Sequence, residues 1–343
     1  MKSGNNIATF ISSFEQLLLQ VDPSDISEQA YCQRYFVHLK DNSRYYLSIY
    51  ALVLEKILHN SNLQKQQINL LDYGAGNGLL GIFARYCGFG RVGLNDIDQS
   101  FLVASKNLSR ILEIEIDAFI RGDINEVQQH PFADQLNAIA GTDVIEHIYN
   151  LDDFFAAIQS INPFIVSVFT TASNPLNSFK VRKLRQLQLK DELEGGEPGD
   201  FLLFGSEPLQ PYLQIRKDII QRILPGINPD ELNILATNTR GLNQEDIKKA
   251  VDQYQENKKI PVLLEDPFNT CNPLTGSWTE RILPLYDYTD LYKRNGFTLV
   301  IYDGFYNKYK KGLKGLASNV LNGLIPIFKH RISPFIVFVG VKK

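Results

Sequence analysis

Short apolar runs alternate with helical patterns between residues 68 and 174. The runs "INLLDY" and "PFIVSVFTTA" are nearly continuous apolar stretches bounded by turns, which is typical of strands buried on both faces. The intervening segments, such as "LDDFFAAIQSI", carry apolar residues at helical spacing. Strand–helix alternation of this kind implies right-handed crossovers. The pattern therefore predicts an α/β fold in which helices cover both faces of a mostly parallel sheet.

The alternation is preceded by helical segments and interrupted once. The N-terminal residues have helical periodicity, and their aromatic stretch "YCQRYFVHLKDN" could fold over a site. After Asn174, turn clusters and helical patterns predict a large, mainly helical insertion, in which one helix begins after Asn243. Two later strands, "FTLVIYDG" and "PFIVFVGVKK", complete a seven-stranded sheet. The predicted parts are a helical N-terminal cap (1–60), a ligand-binding core (61–174), the insertion (175–283) and the C-terminal part of the core sheet (284–343).

Composition narrows the class of partner. A formal net charge of −3 over 343 residues leaves no positive footprint for nucleic acid, so we expect no DNA partner and disfavour RNA. Cys32, Cys87 and Cys271 are far apart, without zinc-ligand spacing or an even disulfide set, which fits a reducing cytoplasm. We find no signal peptide and no run of about 18 uncharged apolar residues, and therefore predict no membrane span.

The stretch "LLDYGAGNGLLG" at residues 70–81 joins the first predicted strand to the next helix. Glycines there permit a sharp turn and let a ligand approach the backbone, while the helix N-terminus offers free N–H groups. Two spellings fit: D-x-G-x-G-x-G, which indicates a methyl donor, and G-x-G-x-x-G, which indicates a dinucleotide. The first comprises Asp72, Gly74, Gly76 and Gly78, and the second comprises Gly76, Gly78 and Gly81.

Acidic residues near the strand ends favour the methyl donor. Asp96 lies 20 residues beyond Gly76 and suits the ribose hydroxyls of either ligand. Asp72 lies inside the first strand end, where dinucleotide folds usually have an apolar residue, whereas a methionine-bearing ligand offers an ammonium group there. Asp123 in "RGDI" follows the third strand and suits an exocyclic adenine amine. The fourth strand, in "LNAIAGTDVIEH", ends in a polar cluster.

Together these segments resemble the class I S-adenosylmethionine-dependent methyltransferases. "LLDYGAGNG" is similar to the donor loop of that family, "GLNDID" to its ribose-binding turn, "RGDI" to its adenine contact, and "TDVIEH" to the segment after its fourth strand. The resemblance implies a Rossmann-like fold with S-adenosyl-L-methionine as cofactor. The implied contacts are Asp72, Gly74, Ala75, Gly76, Asn77 and Gly78 for the methionine portion, Asp96 and Ile97 for the ribose and adenine, Asp123 and Ile124 for the adenine, and Asp143 and Val144 on the far wall.

His147 is the candidate catalytic base, because an oxygen acceptor usually needs its proton removed. The alternative is that His147 merely caps or packs the segment end. Asp143, Glu146 and His147 also spell D-x-x-E-H, similar to the metal-binding E-x-x-E-H of small-RNA 2′-O-methyltransferases and to a segment of quinone-type O-methyltransferases. Asp replaces the first Glu here, and no other histidine is identifiable as a further ligand. We therefore predict no metal, with these three residues as its only candidates.

Two further segments each have two interpretations. The stretch "EDPFNTCNPLTGSWTERI" in the insertion holds the one tryptophan, Trp278. It is interpreted either as a lid that contacts the acceptor or as a folded loop anchored by that side chain. Residues 308–331 have apolar side chains at helical spacing and lysines at both ends. They predict either a peripheral membrane contact at anionic lipid or a helix packed on the sheet.

The sequence thus predicts a cytoplasmic S-adenosylmethionine-dependent methyltransferase. The expected acceptor is a small molecule, or a lipid- or glycan-linked metabolite, methylated on oxygen. The alternatives are methylation of RNA or protein, a non-catalytic module that binds S-adenosylmethionine, and an NAD-dependent oxidoreductase. The identity of the acceptor and the oligomeric state stay open.

Overall fold

The structure is a computed structural model that describes residues 6–196 and 210–342. The chain forms two compact units, and the part of the predicted insertion at 197–209 lies outside the described residues. The first unit consists of Met1–Ile145, Leu151–Ala172 and Pro284–Lys343, and the second of Glu146–Asn150 and Ser173–Leu283.

A seven-stranded sheet forms the centre of the first unit. Its strands are β1 (Asn69–Tyr73), β2 (Arg91–Asp96), β3 (Ala118–Arg121), β4 (Ala138–Thr142), β5 (Val166–Thr171), β6 (Thr298–Asp303) and β7 (Ile336–Val341). Their order is β3-β2-β1-β4-β5-β7-β6. The strands β1 to β5 are parallel, while β7 is antiparallel to both β5 and β6. The predicted mostly parallel seven-stranded sheet is therefore confirmed.

One edge of this sheet collects the strand ends that matter for a ligand. The parallel strands β1 to β5 all finish at that edge, and β6 finishes there too because both β5 and β6 oppose β7. We call it the carboxyl edge. In open α/β sheets, ligands bind in the crevice outside such an edge.

Four helices precede β1, and the others occupy the connections between strands. In chain order they are α1 (Ile11–Gln20), α2 (Pro23–Ile26), α3 (Ala30–Asp41), α4 (Ser43–Ser61), α5 (Leu79–Tyr86), α6 (Gln99–Ile111), α7 (Ile124–Gln129), α8 (Leu151–Ile161), α9 (Ser178–Leu193), α10 (Tyr212–Ile223), α11 (Pro229–Asn238), α12 (Gln244–Asn257), α13 (Leu285–Arg294) and α14 (Leu313–Phe328). Helices α9 to α12 belong to the second unit, and the others belong to the first.

Both faces of the sheet are covered, because successive strand side chains point to opposite faces. Val168 on one face joins a buried cluster with side chains of α1, α4 and α5. Its neighbour Phe169 points the other way and packs against Phe155 of α8, with ring centroids 6.3 Å apart. On the same side, Phe338 of β7 packs against Tyr288 of α13 at 4.4 Å. Near-complete burial on both faces explains why the strands are almost continuously apolar in sequence.

The second unit has its own core among α10, α11 and α12. As predicted, α12 begins after Asn243, whose side chain accepts a hydrogen bond from Asp246 N at 3.0 Å. Ile247, Val251 and Tyr254 form the buried face of this helix, at helical spacing. The helical character expected for the insertion is thus present in its described residues.

A buried ion pair crosses the second unit. Arg216 of α10 is fully buried and its guanidinium pairs with the carboxylate of Glu192 at the end of α9. Arg216 Nε donates to Ala236 O at 2.8 Å, and Thr270 Oγ1 donates to Glu192 Oε2 at 2.8 Å. The buried charges are therefore both paired and hydrogen-bonded, as burial requires.

The three cysteines are free thiols, and each is buried. Burial raises the pKa of Cys32 to about 11 and that of Cys87 and of Cys271 to about 12. Among the residues described, no helix has both the length and the apolar character needed to cross a membrane.

Candidate functional site

The glycine loop after β1 has a backbone that other residues avoid. Gly74, Gly76 and Gly78 have φ angles of 65°, 53° and 76°, in the left-handed region. A Cβ on Gly74 would lie 2.5 Å from Val144 Cγ2, and a Cβ on Gly78 would lie 2.7 Å from Leu94 Cδ1. Conformation and close packing therefore both require glycine in this loop.

Loop geometry alone does not separate the two spellings of the motif. Gly81, the third glycine of the dinucleotide spelling, lies in α5, and a Cβ there would overlap the side chain of Leu94 in β2. Close helix–strand packing is the role of that glycine in dinucleotide-binding folds. Strand order does differ, because the usual dinucleotide order is 3-2-1-4-5-6 and here the antiparallel β7 enters between β5 and β6.

Hydrogen bonds tie the loop to the neighbouring strand ends. Ala75 N donates to Asn95 O at 2.8 Å, and Gly76 N donates to Asp96 Oδ2 at 2.8 Å. The Asn95 side chain donates to Gly122 O at 2.9 Å, just beyond β3. The structure thus brings the predicted methionine, ribose and adenine segments together at the carboxyl edge.

Asp72 is almost completely buried, with 2% of its surface exposed. Its Oδ2 accepts a hydrogen bond from Gly81 N at 2.8 Å, which braces the first turns of α5 against β1. Burial raises the pKa of this carboxyl to about 7, although the Gly81 hydrogen bond lowers it. The observed role of Asp72 is to support the loop, and its contact with a ligand ammonium group stays a prediction.

Asp96 lies at the end of β2 and is also buried, with 8% exposed. Its Oδ1 accepts from Asp98 N at 2.9 Å, while Oδ2 accepts from Gly76 N. Burial raises the pKa of Asp96 to about 6. Within the ranges that the structure describes, neither Asp72 nor Asp96 has a cationic partner. Carboxylate oxygens have further lone pairs, and those of Asp96 can still accept from ligand hydroxyls.

The predicted adenine residues have local structural roles as well. Asp123 is the N-cap of α7: its Oδ1 accepts from Asn125 N at 2.7 Å, and Glu126 Oε2 accepts from Asp123 N at 2.9 Å. Ile124 is buried, whereas Ile97 is 58% exposed beside Asp96. An exposed isoleucine at this edge offers an apolar surface to a flat ring. The capping box accounts for Asp123 without a ligand, so its adenine contact stays a prediction.

Asn77 joins the loop to the N-terminal cap. It is 1% exposed, and its Nδ2 donates to Cys32 O in α3 at 3.1 Å. Its Oδ1 has no hydrogen-bond partner in the described part of the chain. A Cβ on Gly76 would lie 3.2 Å from Tyr35 Cε1, so the aromatic stretch of the cap lies against the glycine loop. A buried amide oxygen without a partner is costly, and a ligand donor would satisfy it.

Asp143 and Val144 follow β4 at the same edge. Asp143 has a φ angle of 53°, which is uncommon for a residue with a side chain. Its N donates to Thr170 O at 3.0 Å, and its Oδ1 accepts from Ala172 N at 3.2 Å. These bonds hold an exposed carboxylate in a strained conformation, as is common near functional sites. Val144 lies beside Gly74, where the sequence places the far wall.

His147 belongs to the second unit, where it pairs with Trp278. His147 Nδ1 lies 2.7 Å from Trp278 O, and Trp278 N donates to His147 O at 3.1 Å. A carbonyl oxygen only accepts, so Nδ1 carries the proton and Nε2 of the neutral ring keeps its lone pair. The Trp278 indole ring also stacks on Tyr149, with centroids 6.2 Å apart. Trp278 thus anchors the folded segment around it, although contact with an acceptor stays untested.

The prediction that Asp143, Glu146 and His147 bind no metal stays a prediction. Across residues 6–196 and 210–342, no three or more His, Cys, Asp or Glu side chains are grouped as a metal site. This applies to Asp143, Glu146 and His147, the only candidates from the sequence. Glu146 is 1% exposed, and its carbonyl oxygen accepts from Arg281 N at 3.2 Å.

An aromatic group at the carboxyl edge was not assigned from the sequence. We name its members the cap tyrosines: Tyr35, Tyr45, Tyr46 and Tyr50. The Tyr45 and Tyr46 centroids are 5.6 Å apart, and Tyr46 OH lies 2.8 Å from His38 Nε2. Burial is the larger cause, and the charge of Asp143 the smaller, of the rise in the pKa of Tyr46 to about 12. The same two causes raise the pKa of Tyr35 and of Tyr45. The available signal was the spacing of Tyr46 and Tyr50, which lie four residues apart on one helix face.

No protein-family model and no curated protein matches the sequence. Solved structures do match. A S-adenosylmethionine-dependent methyltransferase from Clostridium acetobutylicum ATCC 824 has a TM-score of 0.46 and 15% identity, over 91% of this chain and 99% of its own. Geranyl diphosphate C-methyltransferase from Streptomyces coelicolor A3(2) has a TM-score of 0.41 and 11% identity, over 88% of this chain and 82% of its own.

A third similar structure is phosphoethanolamine N-methyltransferase 2 from Haemonchus contortus in complex with S-adenosyl-L-methionine. It has a TM-score of 0.40 and 13% identity over 86% of this chain, which spans only 52% of that protein's length. All three are methyltransferases. With TM-scores below 0.5, the likeness is weak, and the interpretation of the site rests on the strand order and the glycine loop of this chain itself.

Proposed function

We propose that the chain is an S-adenosylmethionine-dependent methyltransferase. The observation that carries the proposal is the buried carboxylate of Asp96, which holds Gly76 N at 2.8 Å and has no cationic partner among the residues described. A ligand with vicinal hydroxyls and a positive charge would complete such a site. S-adenosyl-L-methionine has ribose hydroxyls, an ammonium group and a sulfonium group.

Charge favours this ligand over a dinucleotide. Asp72 and Asp96 both lie beside the glycine loop, and the charge of Asp96 raises the pKa of Asp72 further. A cation in the loop would relieve that repulsion, whereas the pyrophosphate of a dinucleotide would add to it. The antiparallel β7 within the sheet is a second departure from the dinucleotide pattern.

The residues present suit the parts of S-adenosyl-L-methionine. In our proposal Asp96 accepts from the ribose hydroxyls, Ile97 packs on the adenine, and Asn77 Oδ1 accepts from the ammonium group. The cofactor supplies a methyl group on a positively charged sulfur, so the protein contributes mainly near-attack geometry. Gly74, Gly76 and Gly78, which have no side chains, let the methionine portion approach the backbone.

For the acceptor we propose a small molecule, or a lipid- or glycan-linked metabolite, methylated on oxygen. His147 is the proposed base, because Nδ1 donates to Trp278 O and Nε2 is left to accept the acceptor's proton. The bound cofactor would supply the methyl group, and Nε2 of His147 would take the proton that the acceptor hydroxyl loses. The cap tyrosines and Asp143 supply hydroxyls and a carboxylate at the carboxyl edge, where they would orient the acceptor.

Thermal unfolding with S-adenosylhomocysteine and, in parallel, with NADH tests the donor assignment. A ligand at 100 times its Kd stabilises a fold by about 2.7 kcal/mol, which is a shift of several degrees. We expect S-adenosylhomocysteine alone to shift the midpoint, and Asp96→Ala to abolish the shift. The matched control is Asp117→Ala, because Asp117 Oδ2 accepts from Val92 N at 2.8 Å near the opposite end of β2. This control should keep the shift.

Several results would contradict the proposal. A shift with NADH alone would make the chain an oxidoreductase, and an undiminished shift in Asp96→Ala would remove Asp96 from the site. Binding of S-adenosylhomocysteine without turnover of any acceptor would favour a non-catalytic module. Methylation of RNA or protein, without methylation of any hydroxylated small molecule, would make the chain an RNA or protein methyltransferase. Loss of transfer in His147→Gln, with S-adenosylhomocysteine binding intact, would support the assigned base.

A further inference from the structure

Helix α14 exposes most of its large apolar side chains to solvent, whereas a surface helix of a globular protein normally buries them. Its buried positions are Gly315, Ser318 and Ile325. The exposed apolar side chains are Leu313 (85%), Leu316 (62%), Val320 (57%), Leu324 (36%), Ile327 (70%) and Phe328 (49%). We call these six the apolar stripe. The sequence also left open a helix packed on the sheet, and the exposure of the apolar stripe means that these six side chains do not make such a packing contact.

The orientation of α14 is fixed by specific contacts. At about 100° per residue, the apolar stripe spans about 120° of the helix surface, opposite Gly315, Ser318 and Asn322. Asn322 Oδ1 accepts from Tyr306 N at 2.7 Å, and Asn322 Nδ2 donates to Tyr306 O at 3.0 Å. Small and amide side chains, together with Ile325, thus face the protein, and the apolar stripe is left outward.

Basic residues flank the apolar stripe at both ends. No acidic residue occurs between positions 308 and 331. The flanking basic residues, all exposed, are Lys308, Lys310, Lys311, Lys314, Lys329 and Arg331. An apolar stripe flanked by basic residues, in a segment without acidic residues, is typical of helices that lie at an anionic lipid surface.

This surface lies at the carboxyl edge of the sheet. Asp303 at the end of β6 pairs with Ile336 at the start of β7, so the connection that contains α14 leaves and returns at that edge. Before the helix begins, Tyr309 OH lies 3.3 Å from Ser48 Oγ in α4. The apolar stripe is therefore carried on the edge that also holds the glycine loop.

We propose that α14 and its flanking basic residues dock on an anionic membrane surface. With 16 residues, α14 is shorter than the roughly 20 that span a bilayer, so the helix lies in the interface with the apolar stripe toward the acyl chains. The basic residues face the anionic headgroups. This inference does not depend on the identity of the bound donor.

Charge and area favour lipid over a second copy of the chain. A symmetric dimer through α14 would bring identical basic clusters together. A standard protein interface also uses about 20–30 residues on each side, far more than the six of the apolar stripe. A bilayer needs no complementary shape, and it supplies the opposite charge.

Co-sedimentation of the full chain with vesicles tests the proposal. The probes are vesicles of phosphatidylcholine alone and vesicles that also contain phosphatidylserine. We expect the wild type to bind the second kind, and added salt to weaken that binding. Leu316→Gln with Val320→Gln should reduce the partition coefficient more than tenfold. Lys310→Glu with Lys311→Glu should reduce it more than tenfold as well, since each basic residue contributes a factor of about five.

The control for the apolar changes is Phe164→Gln, because Phe164 is 72% exposed and precedes β5 at the opposite edge of the sheet. It should bind like the wild type. All variants change exposed side chains, so their unfolding midpoints and S-adenosylhomocysteine binding should stay as in the wild type. Failure of the wild type to bind phosphatidylserine vesicles would overturn the proposal. The proposal would also fail if both double variants bound these vesicles as strongly as the wild type. It would fail likewise if the chain formed a dimer that Leu316→Gln with Val320→Gln dissociates, and no vesicles were bound.

Discussion

Glu192 in the second unit is buried beside the guanidinium of Arg216, whereas Asp72 and Asp96 in the first unit are buried with backbone N–H groups as partners. The first arrangement pairs opposite charges within the protein. In the second, burial raises the pKa of Asp72 to about 7 and that of Asp96 to about 6. A buried carboxylate that is paired with a cation has a structural role. Buried carboxylates without a cationic partner, at the carboxyl edge of the sheet, indicate a candidate ligand site.

The difference also indicates what each region contributes to stability. Removing one member of a buried ion pair leaves an uncompensated charge and is strongly destabilising. Neutralising an uncompensated carboxylate should instead stabilise the free protein, at the expense of binding. Two predictions test this contrast, and a third compares a glycine of the first unit with a glycine of the second. They are given from the largest expected effect to the smallest.

Arg216→Met should lower the free energy of unfolding of the second unit by about 3–5 kcal/mol, because Glu192 is then left buried and unpaired. Urea unfolding followed by circular dichroism measures the change. The control is the double variant Arg216→Met with Glu192→Leu, which should recover much of the loss. If Arg216→Met were as stable as the wild type, Glu192 would have found another partner. The difference between the paired and the uncompensated carboxylates would then not hold.

Alanine substitutions at two glycines with similar backbone conformations distinguish the cost of backbone strain from the cost of overpacking. Gly78 and Gly226 have φ angles of 76° and 82°, but a Cβ on Gly226 would meet nothing within 4 Å. Gly226→Ala should lower the free energy of unfolding by about 1 kcal/mol, from backbone strain alone. Gly78→Ala should cost about 3 kcal/mol, since it also presses on Leu94 and Ser105. Equal losses in chemical denaturation would mean that the loop can relax, and that its close packing is unimportant.

Lowering the pH should stabilise the protein without ligand. The folded-state pKa of Asp72 is about 7, above the unfolded value near 3.9, so its ionisation destabilises the fold as the pH rises through about 7. Between about pH 8 and about pH 5.5, we expect a gain of about 2 kcal/mol from Asp72. Asp72→Asn should flatten the profile, measured as unfolding midpoints across that range. An unchanged profile in Asp72→Asn would assign the dependence to other groups.

Local spacing made the glycine loop predictable. The glycines at 74, 76 and 78, and Asp96, follow from short-range chemistry, since a sharp turn and a strand end each require particular residues. The sheet was predictable for a similar reason, because burial on both faces leaves a continuous apolar run.

Long-range pairings were not predictable. The proton on His147 Nδ1 depends on a carbonyl 131 residues away at Trp278, and no local pattern encodes that contact. The periodicity of α14 predicted a stripe but not its direction, which depends on Asn322 and Tyr306. Of the cap tyrosines, only Tyr35 lies in the aromatic stretch that the sequence singled out. The position of the group near Asp143 depends on how α3 and α4 fold back.

The buried thiols have a consequence for spectroscopy. With pKa values of about 11 for Cys32 and about 12 for Cys87 and Cys271, the native thiols stay protonated at neutral pH and lie away from reagents. A cysteine introduced at Leu316 would be exposed by comparison. A polarity-sensitive dye could therefore be attached there selectively, in a chain that keeps every native cysteine, and its emission would report the solvent around α14.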